Sequence, residues 1–461
     1  MRRLWNFDLD INFNSKKAIY IQIADAIIEA IKDERLKAND ILPSTRKLAE
    51  HIGVNRNTLI KSIDILIAEG WLNSKDRVGI FVANVNIKST KKQTIPKRST
   101  QSTPQHHIIL DDGTPNTKIS PIKELASAYR RVFALKSKHN IMGYSDPLGT
   151  LELRELISQM LNHKLNIQTS VDEICITRGS QMALYLTAHV LLTAGDVVLV
   201  ENPGYKPAWR AFESTQAKLI PIDVDLDGIV IEDIEKQLAN HDNIKAIYLT
   251  PHHQYPTTVT LSLKRRIRLI ELANQYDLTI IEDDYDHDFH FGKRPILPIS
   301  SHSNLKKYVY VSSFSKIIAP ALRIGYMTSS FDLIDKVSSL REIIDVQNDT
   351  IMELSLSELI KTGELKRHIK RATKYYQDKR LYLDELLQTY LKSKVKYNIP
   401  IGGMAFWIRP IKDLHMPDLI HKLRESSNYE FEKLNVGFRL GYGSIEKEDL
   451  KTTIIKLDEI L

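Results

Sequence analysis

Apolar residues recur along this chain with two distinct periods, one helical and one of strands. Near the start, Ile19, Ile23, Ile27 and Ile31 fall on every fourth position, which predicts an amphipathic helix over residues 18–34. Pro43-Ser44 opens a second short helix with N-cap chemistry at Ser44, and Gly53 ends it. Asn55 caps a third helix, in which Leu59, Ile63 and Leu66 form the buried stripe up to Gly70. Trp71-Leu72 and Ile80-Phe81-Val82 then read as two strands of a hairpin.

Two helices joined by a tight glycine turn and followed by a hairpin wing match helix-turn-helix geometry, in which the start of the second helix meets base edges. Ser44, Arg46, Asn55, Arg56, Asn57, Thr58 and Arg77 are the candidate DNA contacts, since their donors suit phosphates and bases. The competing reading is a small helical bundle whose polar residues only cap helices.

Residues 85–107 lose all periodicity and carry five basic and no acidic residues, so they read as a flexible basic linker. From Ile108 onward the pattern alternates apolar strands (173–177, 197–200, 245–249, 278–281, 308–311 and 324–328) with helical stretches such as 181–193 and 262–275. That alternation predicts a parallel α/β sheet covered on both faces, with ligands at the carboxyl ends of the strands. Residues beyond about 331, with helices near 332–345, 352–362 and 367–391 and strands near 403–408 and 436–440, read as a smaller α/β subdomain. The expected division is therefore 1–84, 85–107 and 108–461.

Composition changes this picture little. The 461 residues are 43% apolar and 26% charged, with no apolar run of membrane-spanning length and no secretory segment at the start, so a cytoplasmic protein without a membrane partner is expected. A net charge of +7 permits a nucleic-acid partner. Cys175 is the sole cysteine, which excludes an internal disulfide, and its apolar strand favours a buried packing role.

Candidate chemistry gathers at the strand ends. Ser313-Phe314-Ser315-Lys316 follows one strand, with Arg323 seven residues on: a lysine amine able to form a Schiff base beside donors for a phosphate. Alone, such a turn is weak evidence, and an ordinary exposed loop lysine is the reading these residues favour. Arg178-Gly179-Ser180-Gln181 opens a helix whose N-terminus suits an anion, although a plain N-cap explains the stretch equally well. Tyr205 could stack on a flat cofactor or lie as a surface tyrosine. Glu282-Asp283-Asp284-Tyr285-Asp286-His287-Asp288 offers Asp283 as partner for a pyridine nitrogen and Tyr285 for the ring's 3-oxygen; the alternative, a metal site, lacks ligand spacing, and the carboxylates look like a solvated loop.

Residues 17–84, with Leu42-Pro43-Ser44-x-Arg46-x-Leu48-Ala49 and Gly53-Val54-x-Arg56-Asn57-Thr58, resemble the GntR-type winged-helix DNA-binding domain, although Ile60 stands where many relatives carry arginine. Residues 108–461 resemble the fold-type I aminotransferases, and the linked arrangement resembles the MocR subfamily of GntR regulators. The matching motifs are Gly143-Tyr144-x-Asp146-Pro147-x-Gly149, Thr177-Arg178-Gly179-Ser180-Gln181, Glu201-Asn202-Pro203-Gly204-Tyr205, Pro251-x-His253-Gln254-Tyr255-Pro256-Thr257, Glu282-Asp283-Asp284-Tyr285, Ser313-Phe314-Ser315-Lys316 and Phe438-Arg439-Leu440-Gly441. The resemblance implies pyridoxal 5'-phosphate as an internal aldimine on Lys316, with a phosphate cup from Ser180, Gln181, Ser313, Ser315 and Arg323. It also implies Arg439 as carboxylate binder for an effector, and Tyr144 reaching a neighbouring subunit's phosphate. Aminotransferases usually place asparagine before Pro-Thr-Gly, where this chain has Tyr255.

By the same resemblance, the chain is expected to be a transcription regulator that senses an amino acid, amine or vitamer through aldimine exchange. It would act on operator DNA as a homodimer, for which a head-to-tail arrangement is open. The alternative is a working aminotransferase with a DNA-binding appendage.

Overall fold

The computed structural model describes residues 9, 11–15, 17–75, 78–84, 108–109, 113–135, 140–292, 296–412, 429–430 and 437–461. The chain divides into two compact units, Met1–Ser102 and Thr103–Leu461. The expected linker, 85–107, lies outside the described residues.

In the first unit, α1 (Ile19–Lys32), α2 (Thr45–Ile52) and α3 (Arg56–Ala68) precede a hairpin of β1 (Leu72–Lys75) and β2 (Gly79–Val82), paired Leu72↔Val82 to Lys75↔Gly79. Ile23, Ile27, Leu48, Leu59, Ile63, Leu66 and Leu72 meet in one core, so the four-residue period of α1 does face the other helices. Ser44 accepts the Lys47 amide at 3.5 Å and Asn55 the Asn57 amide at 2.9 Å, while Gly53 closes α2 in the left-handed conformation (φ 76°). Ser62 is buried mid-helix, where its hydroxyl donates to the Tyr20 carbonyl at 2.7 Å and ties α3 to α1. The wing strands run longer toward the turn than the apolar pairs alone indicated, because the ladder continues through polar Ser74 and Lys75.

In the second unit, β3 (Ile108–Ile109) leads to α4 (Ile122–Leu135) and α5 (Leu151–Met160), which runs on into a π-helical turn, Leu161–Leu165. The sheet is then built from β4 (Ile174–Thr177), β5 (Val197–Asn202), β6 (Lys218–Asp225), β7 (Gly228–Ile229), β8 (Ile244–Leu249), β9 (Thr279–Asp284), β10 (Tyr308–Ser313) and β11 (Gly325–Thr328). Between them lie α6 (Ser180–Leu191), α7 (Lys206–Glu213), α8 (Ile231–Asn240) and α9 (Leu263–Gln275). Strand order is β4-β11-β10-β9-β8-β5-β6-β7, with β4, β10, β9, β8, β5 and β6 running one way and β11 and β7 reversed. Both faces are covered. Val198, Val200, Ile281, Val309 and Val311 pack with α6 and α7, while Val197, Leu199, Ile247 and Ile280 pack with α8 and α9.

Then α10 (Phe331–Ile344), α11 (Thr350–Lys361) and the 23-residue α12 (Glu364–Leu386) lead to a second, antiparallel sheet of β12 (Val395–Tyr397), β13 (Ala405–Pro410) and, after β14 (Tyr429–Glu430), β15 (Phe438–Gly441). The helix α13 (Lys447–Ile460) packs with α12 against this sheet in a core that includes Leu383, Phe406, Leu440, Tyr442, Ile454 and Leu457. Cys175 is fully buried, and its thiol is pushed up to about 11 by that burial.

One sequence expectation fails. Strand β9 does not end at Ile281 in a solvated acidic loop; it continues through Glu282, Asp283 and Asp284, all buried. The carboxylates tolerate burial because each has partners. Glu282 accepts from the Ile299 and Ser300 amides and the Ser300 hydroxyl, Asp283 from Tyr248, and Asp284 from Tyr310.

Candidate cofactor cavity and DNA-facing helix

A cavity of about 400 Å³ opens at the carboxyl ends of β4, β5, β8, β9 and β10. Nine of the ten residues expected to bind the cofactor line it: Ser180, Gln181, Tyr205, Asp283, Tyr285, Ser313, Ser315, Lys316 and Arg323. The tenth, Tyr144, is 91% exposed and does not line it.

One wall is built for an anion. Helix α6 begins at Ser180 after Gly179, with no side chain capping it, so its first-turn amides are left for an outside partner with the helix dipole behind them. Arg323, itself in the left-handed conformation, donates to the Arg178 carbonyl at 2.9 Å and lies against the Gly179 backbone. A Cβ at Gly179 would come within 2.7 Å of Arg323 Nη2, so glycine is what lets the guanidinium reach this turn. The Ser315 amide donates to Ser313 Oγ at 3.1 Å.

Across the cavity, Asp283 receives the Tyr248 hydroxyl on Oδ2 at 3.0 Å, whereas its buried Oδ1 has no hydrogen-bond partner. Burial raises this carboxyl to about 7, opposed by the Tyr248 bond and reinforced by Asp284 and Asp286. Ser315 Oγ and Gln181 Oε1 are likewise buried without partners, although Gln181 donates its amide to the Pro207 carbonyl at 2.9 Å. Orphaned polar atoms of this kind are costly, and three of them converge on one cavity. Lys316 is half-buried, with Nζ 3.4 Å from the Gly113 carbonyl.

The charges behind this wall are sorted by face. Asp284 points to the opposite side of β9 from Asp283. There it lies 3.0 Å from His252 Nδ1 and 3.4 Å from His287 Nδ1, and is held well below the usual carboxylate range: burial opposes this, but the two histidines prevail. Among the described residues, no group of three or more His, Cys, Asp or Glu side chains is arranged to hold a metal ion.

Arg439 is placed differently from the rest. It is 1% exposed and does not line the cavity; its guanidinium lies 4.8 Å from the Tyr255 ring centre, donating to the Pro256 carbonyl (3.0 Å) and the Tyr285 hydroxyl (3.2 Å). Tyr285 in turn donates to the His253 carbonyl at 2.9 Å. Tyr205, Tyr255 and Tyr285 form an edge-to-face row, 5.2 and 6.5 Å between centres.

Sequence reasoning missed several lining residues. Thr114, Thr250 and Tyr255 all face the cavity. Thr250 donates to Glu201 from both its amide (3.0 Å) and its hydroxyl (2.8 Å), and accepts the Tyr255 amide at 2.9 Å. Burial pushes Glu201 up to about 7. The sequence hinted at this only through Glu201 closing an apolar strand, and its partner lies 49 residues away.

In the first unit, Arg46 is exposed on α2, Asn55, Arg56 and Asn57 are exposed at the start of α3, and Thr58 is half-buried. Ser44 and Asn55 accept backbone amides on their side-chain oxygens as helix caps, which leaves the Ser44 hydroxyl proton and the Asn55 amide group able to donate beside the exposed Arg46, Arg56 and Asn57. Arg77 lies outside the described residues. Lys61, next to Ile60, sits over the Tyr20 ring at 4.1 Å.

Comparison with known proteins divides the chain the same way. Residues 106–454 match the profile of aminotransferase class I and II, and residues 19–82 that of bacterial regulatory proteins of the gntR family. The chain is 25% identical to the probable rhizopine catabolism regulatory protein MocR of Rhizobium meliloti over 98% of its own length and 94% of that protein's. It is 26% identical to the HTH-type transcriptional regulator NorG of Staphylococcus aureus, covering 90% and 98% of the two chains. Among solved structures, the kynurenine aminotransferase of Pyrococcus horikoshii superposes with TM-score 0.72 at 27% identity, over 77% of this chain and 91% of that one.

Proposed function

Because the chain belongs to the class I and II aminotransferase family over most of its length and carries a gntR-family domain ahead of it, as DNA-binding regulators of the MocR type do, we propose that it binds pyridoxal 5'-phosphate at Lys316 and uses that site to sense an amino compound or vitamer. The chain is a DNA-binding transcription regulator of this type. Residues 1–84 would engage operator DNA and residues 108–461 would hold cofactor and effector, with 85–107 as tether, in a cytoplasmic homodimer in which Tyr144 serves the partner's phosphate.

The observation that carries the proposal is the convergence of Lys316 with three buried, unpartnered polar atoms on one cavity: Asp283 Oδ1, Ser315 Oγ and Gln181 Oε1. These atoms fit the cofactor's chemistry. Asp283 would face the ring nitrogen and keep it protonated, Tyr205 would cover the ring, and the amides of α6 with Ser180, Ser313, Ser315 and Arg323 would hold the phosphate. When bound, the group supplies an aldehyde that exchanges one amine for another. The rest falls to the protein. The Lys316 amine competes with the effector amine, Tyr285 and Thr250 fix the surrounding walls, and the Tyr205–Tyr255–Tyr285 row keeps water from the ring. Arg439 would bind an effector carboxylate once Tyr255 no longer covers it. An effector that binds one domain arrangement better than another then shifts the population of DNA-binding states.

The test is spectroscopic. The purified protein is expected to show a visible cofactor band that borohydride fixes to the chain, and Lys316→Ala to lose that covalent attachment while remaining folded. A borohydride-fixed band that persists in Lys316→Ala would refute the assignment. Sustained turnover of amino acids at ordinary enzymatic rates would instead favour an enzyme.

A further inference from the structure

A second and larger concavity, about 850 Å³, lies on the other side of β9, between the π-helical turn that follows α5 and the outer face of α12. None of the residues that line it belongs to the cofactor cavity. Its size falls within the range of small-molecule sites rather than that of a flat contact face.

Its lining is sorted by chemistry. Lys164 comes from the π turn and Lys370, Arg371 and Lys374 from two adjacent turns of α12, so four cations line one space. Lys164, Lys370 and Lys374 have no acidic partner among the described residues, and Arg371 has only Glu124, at 3.9 Å. Two carboxylates are present: Asp378, and Asp288, which is engaged 3.4 Å from His287 Nε2. Leu161, Leu165 and Tyr326 supply a buried apolar floor. The π-helical turn that ends α5 delivers both a cation, Lys164, and apolar surface, Leu161 and Leu165, to the concavity.

We infer that this concavity is a second ligand site, for a small organic phosphate whose charged head meets Lys164, Lys370, Arg371 and Lys374 and whose apolar body rests on Leu161, Leu165 and Tyr326. Clustered ammonium and guanidinium groups match a compact dianion, and charge-assisted bonds to it are stronger than neutral ones. A bare inorganic anion would leave the floor unused. The site also abuts the cofactor cavity's back wall, because His287 lines it and contacts Asp284, the neighbour of Asp283.

The experiment is a titration of the cofactor-loaded protein with phenyl phosphate, followed by calorimetry, with inorganic phosphate in parallel. Saturable binding of one phenyl phosphate per chain is expected, tighter than inorganic phosphate. The double variant Lys370→Ala/Lys374→Ala removes two exposed side chains and should weaken binding by about tenfold or more with the cofactor band unchanged. Absence of saturable binding, equal affinity for inorganic phosphate, or indifference to the double variant would each overturn the inference. Loss of binding in Arg323→Ala but not in the double variant would move the anion to the cofactor cavity, overturning this site while leaving the cofactor reading intact. A DNA duplex that binds in a manner sensitive to the double variant where phenyl phosphate does not would overturn it in favour of a nucleic-acid surface.

Discussion

Replacing Asp283 by asparagine should stabilise the cofactor-free protein in alkaline solution and weaken its hold on the cofactor at the same time. The carboxyl is buried and raised to about 7 from an ordinary 3.8, so between those values the folded chain holds a proton that the unfolded chain has released. Stability from this group is therefore fully present below the unfolded value and is lost as pH rises through about 7. From pH 5 upward the loss spans about two pH units at about 1.4 kcal/mol each, on the order of 3 kcal/mol by pH 9. Asparagine keeps an oxygen to accept the Tyr248 hydroxyl but never ionises, so it removes this share of the slope. Glu201, raised in the same direction chiefly by burial, remains in both proteins, and because the Asp283 charge also helps to raise it, the difference between them reports Asp283 together with that coupling. Urea denaturation of the stripped proteins at pH 5 and pH 9 measures it. Cofactor dissociation, followed by the visible band, should be faster in the variant, which has no charge to offer a protonated ring nitrogen. A variant that keeps the wild-type pH slope, or that is less stable than wild type at pH 9, would refute the reasoning.

Three further outcomes are expected. Gly179→Ala forces a Cβ to within 2.7 Å of Arg323 Nη2 at a positive φ, costing about 1–2 kcal/mol in backbone strain, and should lower both the melting temperature and cofactor affinity. Arg56→Ala should weaken operator binding in gel shifts by about 1–3 kcal/mol if it reads a base, or lower the salt dependence by about one charge if it meets a phosphate, with the cofactor spectrum unchanged. Asn55→Ala removes a 2.9 Å cap bond and should destabilise the first unit by about 1 kcal/mol, read by thermal melting of that unit's helices.

The interior of each central strand was legible because a sheet covered on both faces demands unbroken apolar runs, and Val197–Val200 or Tyr308–Val311 can be little else. Strand ends were not. Glu282, Asp283 and Asp284 look like a solvated turn until Ser300, Tyr248 and Tyr310, each 18 to 35 residues away, are seen to satisfy them. The lysine and its serines could be read because they are contiguous in the chain. The stacking of Arg439 on Tyr255 could not, since it joins residues far apart in the chain and depends on a tyrosine that the family resemblance marks only as an irregularity. The capping roles of Ser44 and Asn55 were visible in the pattern, because a cap is made with a backbone amide only two or three residues away.

The end of β9 acts as a partition between two compartments. Its odd positions serve one side and its even positions the other, so the chemistry on each side depends on counting as much as on composition. A single-residue deletion between Thr279 and Glu282 would keep every carboxylate in the sequence, yet turn the one locked between histidines toward the cofactor cavity and send the one facing that cavity behind the sheet. Length, here, is as strictly constrained as any side chain.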